Sequence, residues 1–221
     1  MYLYHAIRKG FVFHIRLWMH PLFKTVGVMR INIALPLPRA FKYELDKRTG
    51  PLRKALFRSS PHYQWLDKEE WRVTLGFFGK LSDAFDVERV CMAVEQEVFG
   101  FGYIVGVTGK FETFPKEYGV YSKRNTVGLS FEKGSDRMVE LSRRIAGKMN
   151  GLLSNKYIPF KDPHITLVRK ERRRRPCLPV GWVKELELEP LVCSFDKAIV
   201  YISDKRISGG VYILQRSARL I

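Results

Sequence analysis

Two short segments constrain this chain more than any other feature: Trp71-Arg72-Val73-Thr74-Leu75 and Pro163-His164-Ile165-Thr166-Leu167. In each, a basic or ionisable side chain and a threonine alternate with branched aliphatic residues. On a β-strand, residues i and i+2 share a face. Arg72 and Thr74 therefore project together, as do His164 and Thr166. Val73, Leu75, Ile165 and Leu167 form the apolar side. Two such strands facing each other make a cleft with polar walls and an apolar backing.

The surrounding sequence supplies the frame. From Met29, Ile31, Ile33 and Leu35 alternate with Asn32 and Ala34, a half-buried strand pattern that Pro36 and Pro38 end. Residues 40–58 have a partly helical pattern, which Gly50-Pro51 is expected to interrupt. A second strand is expected over 71–78. A helix follows over 83–99, capped by Ser82 or Asp83, with an apolar stripe of Phe85, Val87, Val90, Cys91, Val94 and Val98. Strands are expected at 102–109 and 119–131. A second helix runs from Ser135 to Asn150, with Met138, Leu141, Ile145 and Met149 on one face and Gly151 as its stop. Strands at 163–168, 195–202 and 210–218 complete the chain, the last two as a hairpin turning near Ser208-Gly209-Gly210. Strands outnumber helices and do not alternate strictly with them. This order predicts an α+β fold with antiparallel or mixed sheets, not a doubly wound parallel sheet. A strand bearing Thr74 leads into one helix, and the other helix leads into a strand bearing Thr166. That duplication predicts two similar lobes.

Charge narrows the partners. The net charge is +17 over 221 residues, and such a field attracts RNA, DNA or an anionic membrane surface. Cys91, Cys177 and Cys193 form no CxxC pair and no zinc pattern. Their low, odd number fits a reducing compartment, so a cytoplasmic location is expected; Cys91 reads as a small core residue. Residues 1–28 differ from the rest: they contain Arg8, Lys9, Arg16 and Lys24, many aromatics and no acidic residue. His14, Arg16 and His20 interrupt their apolar run too often for a membrane span, and no continuous signal-peptide core is present. They read as a basic extension: a surface-lying appendage, a targeting segment, or an upstream start. The last is favoured because Met29 immediately precedes a clean strand, which places the domain proper at 29–221.

The segment Pro163-His164-Ile165-Thr166-Leu167-Val168-Arg169 resembles the His-x-Thr motif of the two-histidine phosphoesterase superfamily, in which the motif occurs twice. The branch it is most similar to is the bacterial and archaeal RNA 2′,3′-cyclic phosphodiesterases, also called 2′-5′ RNA ligases. Met29 to Ala34 resembles that family's opening strand, and Phe111 to Pro115 its small-x-Phe-Pro segment. Phe195-Asp196-Lys197 to Tyr201, then Tyr212-Ile213-Leu214, resembles its closing hairpin. The resemblance covers about 29–221. It implies two pseudo-duplicated lobes of antiparallel sheet with flanking helices around a central cleft. It also implies one histidine as general base, the other as general acid, and threonines that hydrogen-bond the phosphate. The chemistry suits these residues, since histidine exchanges protons near neutral pH and a threonine hydroxyl donates without adding charge. The scheme needs no metal or other cofactor, and the sequence shows no metal-ligand cluster.

The first motif departs from the pattern, because Arg72 stands where the first histidine belongs. Arginine stays protonated near neutral pH and cannot readily trade a proton, but it can clamp a phosphate. His62 is the nearest histidine upstream, and a solvent-exposed loop position is its simpler reading. The basic run 169–175 follows the second motif directly and has a net charge of +5. A loop leaving the catalytic strand sits at the cleft rim, so Arg169, Lys170, Arg172 and Arg173 are expected to contact RNA backbone. Trp65, Tyr118 and Tyr121 are candidates for stacking a base or for packing. The resemblance thus implies hydrolysis of RNA 2′,3′-cyclic phosphate ends to 2′-phosphates, or joining through 2′-5′ bonds. His164 is the expected base, and Arg72, Thr74 and Thr166 are expected to hold the phosphate. A monomer is expected. The alternatives are a catalytically impaired RNA-binding protein of the same fold, and a hydrolase of small cyclic nucleotides or nicotinamide-derived cyclic phosphates.

Overall fold

The alternating segments become strands of one curled antiparallel sheet with helices against its apolar face. The computed structural model describes residues 29–59, 63–81, 84–114, 126–151, 157–170, 187–204 and 211–220. The extension assigned to 1–28 lies outside them. In chain order the elements are β1 Met29–Pro36, α1 Arg39–Ser59, β2 Tyr63–Trp65, a 3₁₀ turn Lys68–Glu70, β3 Arg72–Leu81, α2 Ala84–Val98, β4 Ile104–Phe114 and β5 Thr126–Lys133. Then come α3 Ser135–Asn150, β6 Tyr157–Pro159, β7 His164–Lys170, β8 Val192–Phe195, β9 Lys197–Asp204 and β10 Val211–Arg219. The expected α+β class with two lobes is the observed architecture. The two motif strands do not face each other across a gap. They lie side by side at the centre of the strand order β10-β9-β1-β3-β7-β5-β4-β8.

Four strands lie on each side of the β3–β7 seam, and the two halves correspond. The registered pair at the seam is Val73 with Ile165, both fully buried. On β3, Thr74 pairs with Ala34 and Gly76 with Ile33, so Leu75 is an extra, bulged residue. On β7, Thr166 pairs with Gly128 and Val168 with Val127, so Leu167 is the equivalent bulge. The halves also exchange short strands. β2 immediately precedes β3 but pairs with β7, while β6 precedes β7 but pairs with β3. Leu66 donates its backbone N–H to the Leu167 carbonyl at 2.8 Å, and Phe160 donates to the Leu75 carbonyl at 2.9 Å. A bulge leaves ladder groups without their regular partners; here the exchanged segments supply them.

One hydrophobic cluster fills the space under the sheet. It joins Ile33, Leu35, Val73, Leu75, Ile165 and Leu167 to the inward faces of the helices. On α3 the four expected core residues, Met138, Leu141, Ile145 and Met149, are all fully buried. On α2, Val87, Val90, Cys91, Val94 and Val98 are buried as expected, but Phe85 is 77% exposed. Two positions separate Phe85 from Val87, about 200° around a helix, so the two cannot share one inward face.

Several expected boundaries are corrected. Gly50-Pro51 does not interrupt the first helix, since α1 runs through Pro51. Gly50 has no Cβ to meet the proline ring, and Phe41, Leu45 and Leu56 bury the helix's inward side. The single strand expected at 195–202 is two strands broken at Asp196, because the chain there passes from one half to the other. β8 pairs with β4, β9 pairs with β1, and the Asp196 carbonyl accepts the Leu220 N–H at 2.8 Å. Among the described residues no helix is long and apolar enough to cross a membrane.

α3 is tied to the first bulge by a buried hydroxyl: Ser142 Oγ donates to the Leu75 carbonyl at 2.6 Å. That carbonyl keeps Phe160 as a second donor. Ser142→Ala should therefore cost only about 1 kcal/mol, seen as a lower urea midpoint with an unchanged slope.

Candidate functional site

Val73 and Ile165 point into the core, so the residues flanking them point the other way. Continuing the antiparallel pairing by one residue sets Thr74 across from His164 and Arg72 across from Thr166. Cross-strand neighbours of this kind have Cβ atoms about 5 Å apart. All four side chains are half-buried. The structure thus brings the four expected site residues together on the sheet face that the helices leave open.

The His164 ring is held on two sides. Its Nδ1 lies 2.7 Å from the Asp162 carbonyl oxygen. A carbonyl only accepts, so Nδ1 carries the proton and Nε2 keeps the lone pair when the ring is neutral. The Phe114 ring stacks on the imidazole with centroids 3.7 Å apart and planes 9° from parallel. Phe114 is on β4 and His164 on β7, so the contact passes over β5. The residue beneath is Gly128, the registered partner of Thr166. A Cβ at Gly128 would lie 2.7 Å from the Ile165 carbonyl oxygen and 3.0 Å from His164 Cδ2. The glycine is what lets the two rings meet.

Arg72 repeats this arrangement in the other half. Its guanidinium carbon lies 4.9 Å from the centre of the Tyr201 ring, close enough for its charge to act on the Tyr201 hydroxyl. Tyr201 is on β9, so this contact passes over β1, where Ala34 is the registered partner of Thr74. Tyr201 pairs with Asn32 on β1 as Phe114 pairs with Thr126 on β5. Each motif therefore begins with a side chain laid against an aromatic ring two strands away, across a small residue. Burial raises the Tyr201 phenol above its ordinary pKa, and the positive charge of Arg72 opposes that shift in part.

The outer candidates divide. Arg169 pairs with Thr126, which puts it on the same face as Phe114, and it is exposed there. The Leu167 bulge returns it to that face three residues after Thr166. Lys170 lies at the end of β7, paired with Tyr63. Arg172, Arg173, His62, Tyr118, Tyr121 and Cys177 lie outside the described residues. For Trp65 the packing alternative is the observed one: it is a core residue, 8% exposed, because β2 turns it under the sheet with Tyr63. Among the described residues no group of three or more His, Cys, Asp or Glu is placed to share a metal ion. Burial pushes the Cys193 thiol up to about 12, which keeps it protonated and unreactive.

Solved structures share this fold. TT0787, a protein of Thermus thermophilus, superposes with a TM-score of 0.65 at 17% identity, covering 86% of this chain and 97% of that one. Escherichia coli LigT in complex with 3′-AMP gives a TM-score of 0.59 at 16% identity, covering 88% and 99%. A protein described as a phosphoesterase gives 0.59 at 14% identity, covering 87% and 98%. The chain has the LigT fold. No protein-family model matches it, and no curated protein matches it by sequence.

Within its LigT fold, three contributors to the site had weak sequence signals. Gly128 sits inside a strand, where glycine often marks a close approach. Phe114 and Tyr201 belong to stretches that fitted the family pattern without any stated role. Strand alternation around Tyr201 places it opposite the buried Val200, on the open face. Gly128→Ala should displace the His164 ring and cost about 1–3 kcal/mol. A lower melting temperature together with a shifted His164 ring signal in NMR would show it, and a variant unchanged in both would contradict the packing argument.

Proposed function

We propose that this protein hydrolyses RNA 2′,3′-cyclic phosphate ends to 2′-phosphates, as a metal-independent member of the two-histidine phosphoesterases. The observation that carries the reading is the His164 ring. Its Nδ1 is committed to the Asp162 carbonyl, so Nε2 is the base, beside two threonine hydroxyls and a guanidinium on one face. His164 takes a proton from the attacking water. Thr74 and Thr166 donate to the non-bridging phosphate oxygens, and Arg72 adds a fixed positive charge where negative charge develops. Arg169 and the basic residues after it hold the RNA backbone by charge, without reading sequence. The reverse reaction joins ends through a 2′-5′ bond. The LigT fold supports the reading: LigT itself has been solved with 3′-AMP, with ATP and with phosphate, ligands that share a phosphate group.

A second reading, an RNA-binding protein without turnover, is favoured by Arg72 alone. A side chain that cannot give up its proton replaces one of two proton-transfer groups, and losing such a group costs roughly 10²–10⁴-fold in rate.

An oligonucleotide with a 2′,3′-cyclic phosphate end separates the two. The hydrolase reading expects turnover by the wild type, loss of about 10²-fold or more in His164→Ala, and a falling rate on acidification as the imidazole is protonated. No turnover by the wild type, with gain in Arg72→His, would overturn it in favour of the binding protein. Binding should weaken steeply with salt in either case.

A further inference from the structure

If His164 is the base, something must protonate the leaving ribose oxygen, and Arg72 cannot. We propose that Tyr201 is the general acid, with its hydroxyl proton delivered to the leaving oxygen and Arg72 holding the phenolate that results. The proposal rests on the cyclic phosphodiesterase reading and adds a residue to it.

The geometry supplies the argument. Tyr201 lies on the open face, in the half whose motif begins with Arg72 and not with a histidine, at the position equivalent to Phe114 in the other half. The corresponding ring beside His164 has no hydroxyl; the ring beside Arg72 does. Arginine has donors and no acceptor, so Arg72, whose guanidinium carbon lies 4.9 Å from the centre of the Tyr201 ring, cannot take the phenol proton. The guanidinium is already in place to stabilise a negative charge on the phenol oxygen. Among the described residues Arg72 is the charged group acting on the phenol. The residues registered beside Tyr201, Asn32 on β1 and Leu214 on β10, are neutral.

The step balances. Nε2 of His164 takes a proton from water as the water oxygen bonds to phosphorus. The bond from phosphorus to one ribose oxygen breaks, and that oxygen receives the Tyr201 proton. The imidazolium then returns its proton through solvent to the phenolate. A ribose hydroxyl is a weaker acid than a phenol, so the donation to the departing alkoxide runs downhill.

The test uses the full chain and the cyclic-phosphate oligonucleotide with wild type, Tyr201→Phe, Arg72→His and the double variant. Tyr201→Phe keeps the ring and its stacking on Arg72, and thermal melts verify that it folds. It should lower kcat by about 10²-fold or more, with KM little changed. In the Arg72→His background the new histidine serves as acid, so adding Tyr201→Phe should cost a few-fold at most. The pH profiles give an independent reading. A phenol acid keeps the wild type active up to about pH 10 or beyond, the ordinary tyrosine range. Arg72→His should bring the alkaline limb down towards the histidine range of about 6.5. Wild-type turnover that survives in Tyr201→Phe overturns the proposal and leaves the hydrolase reading intact. Equal losses from Tyr201→Phe in both backgrounds also overturn it, because they indicate a packing role. No wild-type turnover overturns the proposal and the hydrolase reading together.

Discussion

The pairing of Val73 with Ile165 is the constraint on which the rest of this structure depends. These two side chains have no exposure, and each such burial is worth about 1.5–3 kcal/mol. The larger effect is directional. Because strand side chains alternate, committing residues 73 and 165 to the core obliges 72, 74, 164 and 166 to face the other way. The site is thus a by-product of core packing: four polar residues are gathered on one surface by two aliphatic ones beneath them. A one-residue slip at this seam would bury all four and expose the core.

The two halves of the site share geometry and differ in chemistry. In one, an imidazole lies against Phe114; in the other, a guanidinium lies against Tyr201. A flat ring is a good platform for either head group, so the same scaffold holds both. What changes is where a titratable proton can reside. In the His164 half it resides on the motif residue. In the Arg72 half the motif residue is permanently charged, and the titratable proton beside it belongs to the aromatic platform itself.

Much of the fold was legible because its signals are local. The alternation at 29–36, the stripe of α3 and the two motif strands each show a period that needs no partner to be read. The errors arose where distant contacts override local preference. Pro51 looks like a helix end until the burial of Leu45 and Leu56 on either side is known. The 195–202 stretch looks like one strand because nothing at Asp196 shows that the chain changes halves there. Phe85 fitted a helical stripe in composition but not in angle. At the site, the motif residues were legible by spacing. Gly128 and Tyr201 matter through registers with Thr166 and Asn32, which no sequence pattern states.

The exchange of β2 and β6 has a consequence for how the chain folds. Each half receives one of its short strands from the segment leading into the other half's motif, and β9 returns from the far end of the chain to pair with β1. Neither half can complete its own sheet, and the bulged carbonyls at Leu75 and Leu167 acquire their partners only when both halves are present. The internal duplication is therefore one of form and not of independence. The chain should fold as one cooperative unit with high contact order, on the slower end of the range for its size, and the polar face at the seam should come into being only as the two halves meet.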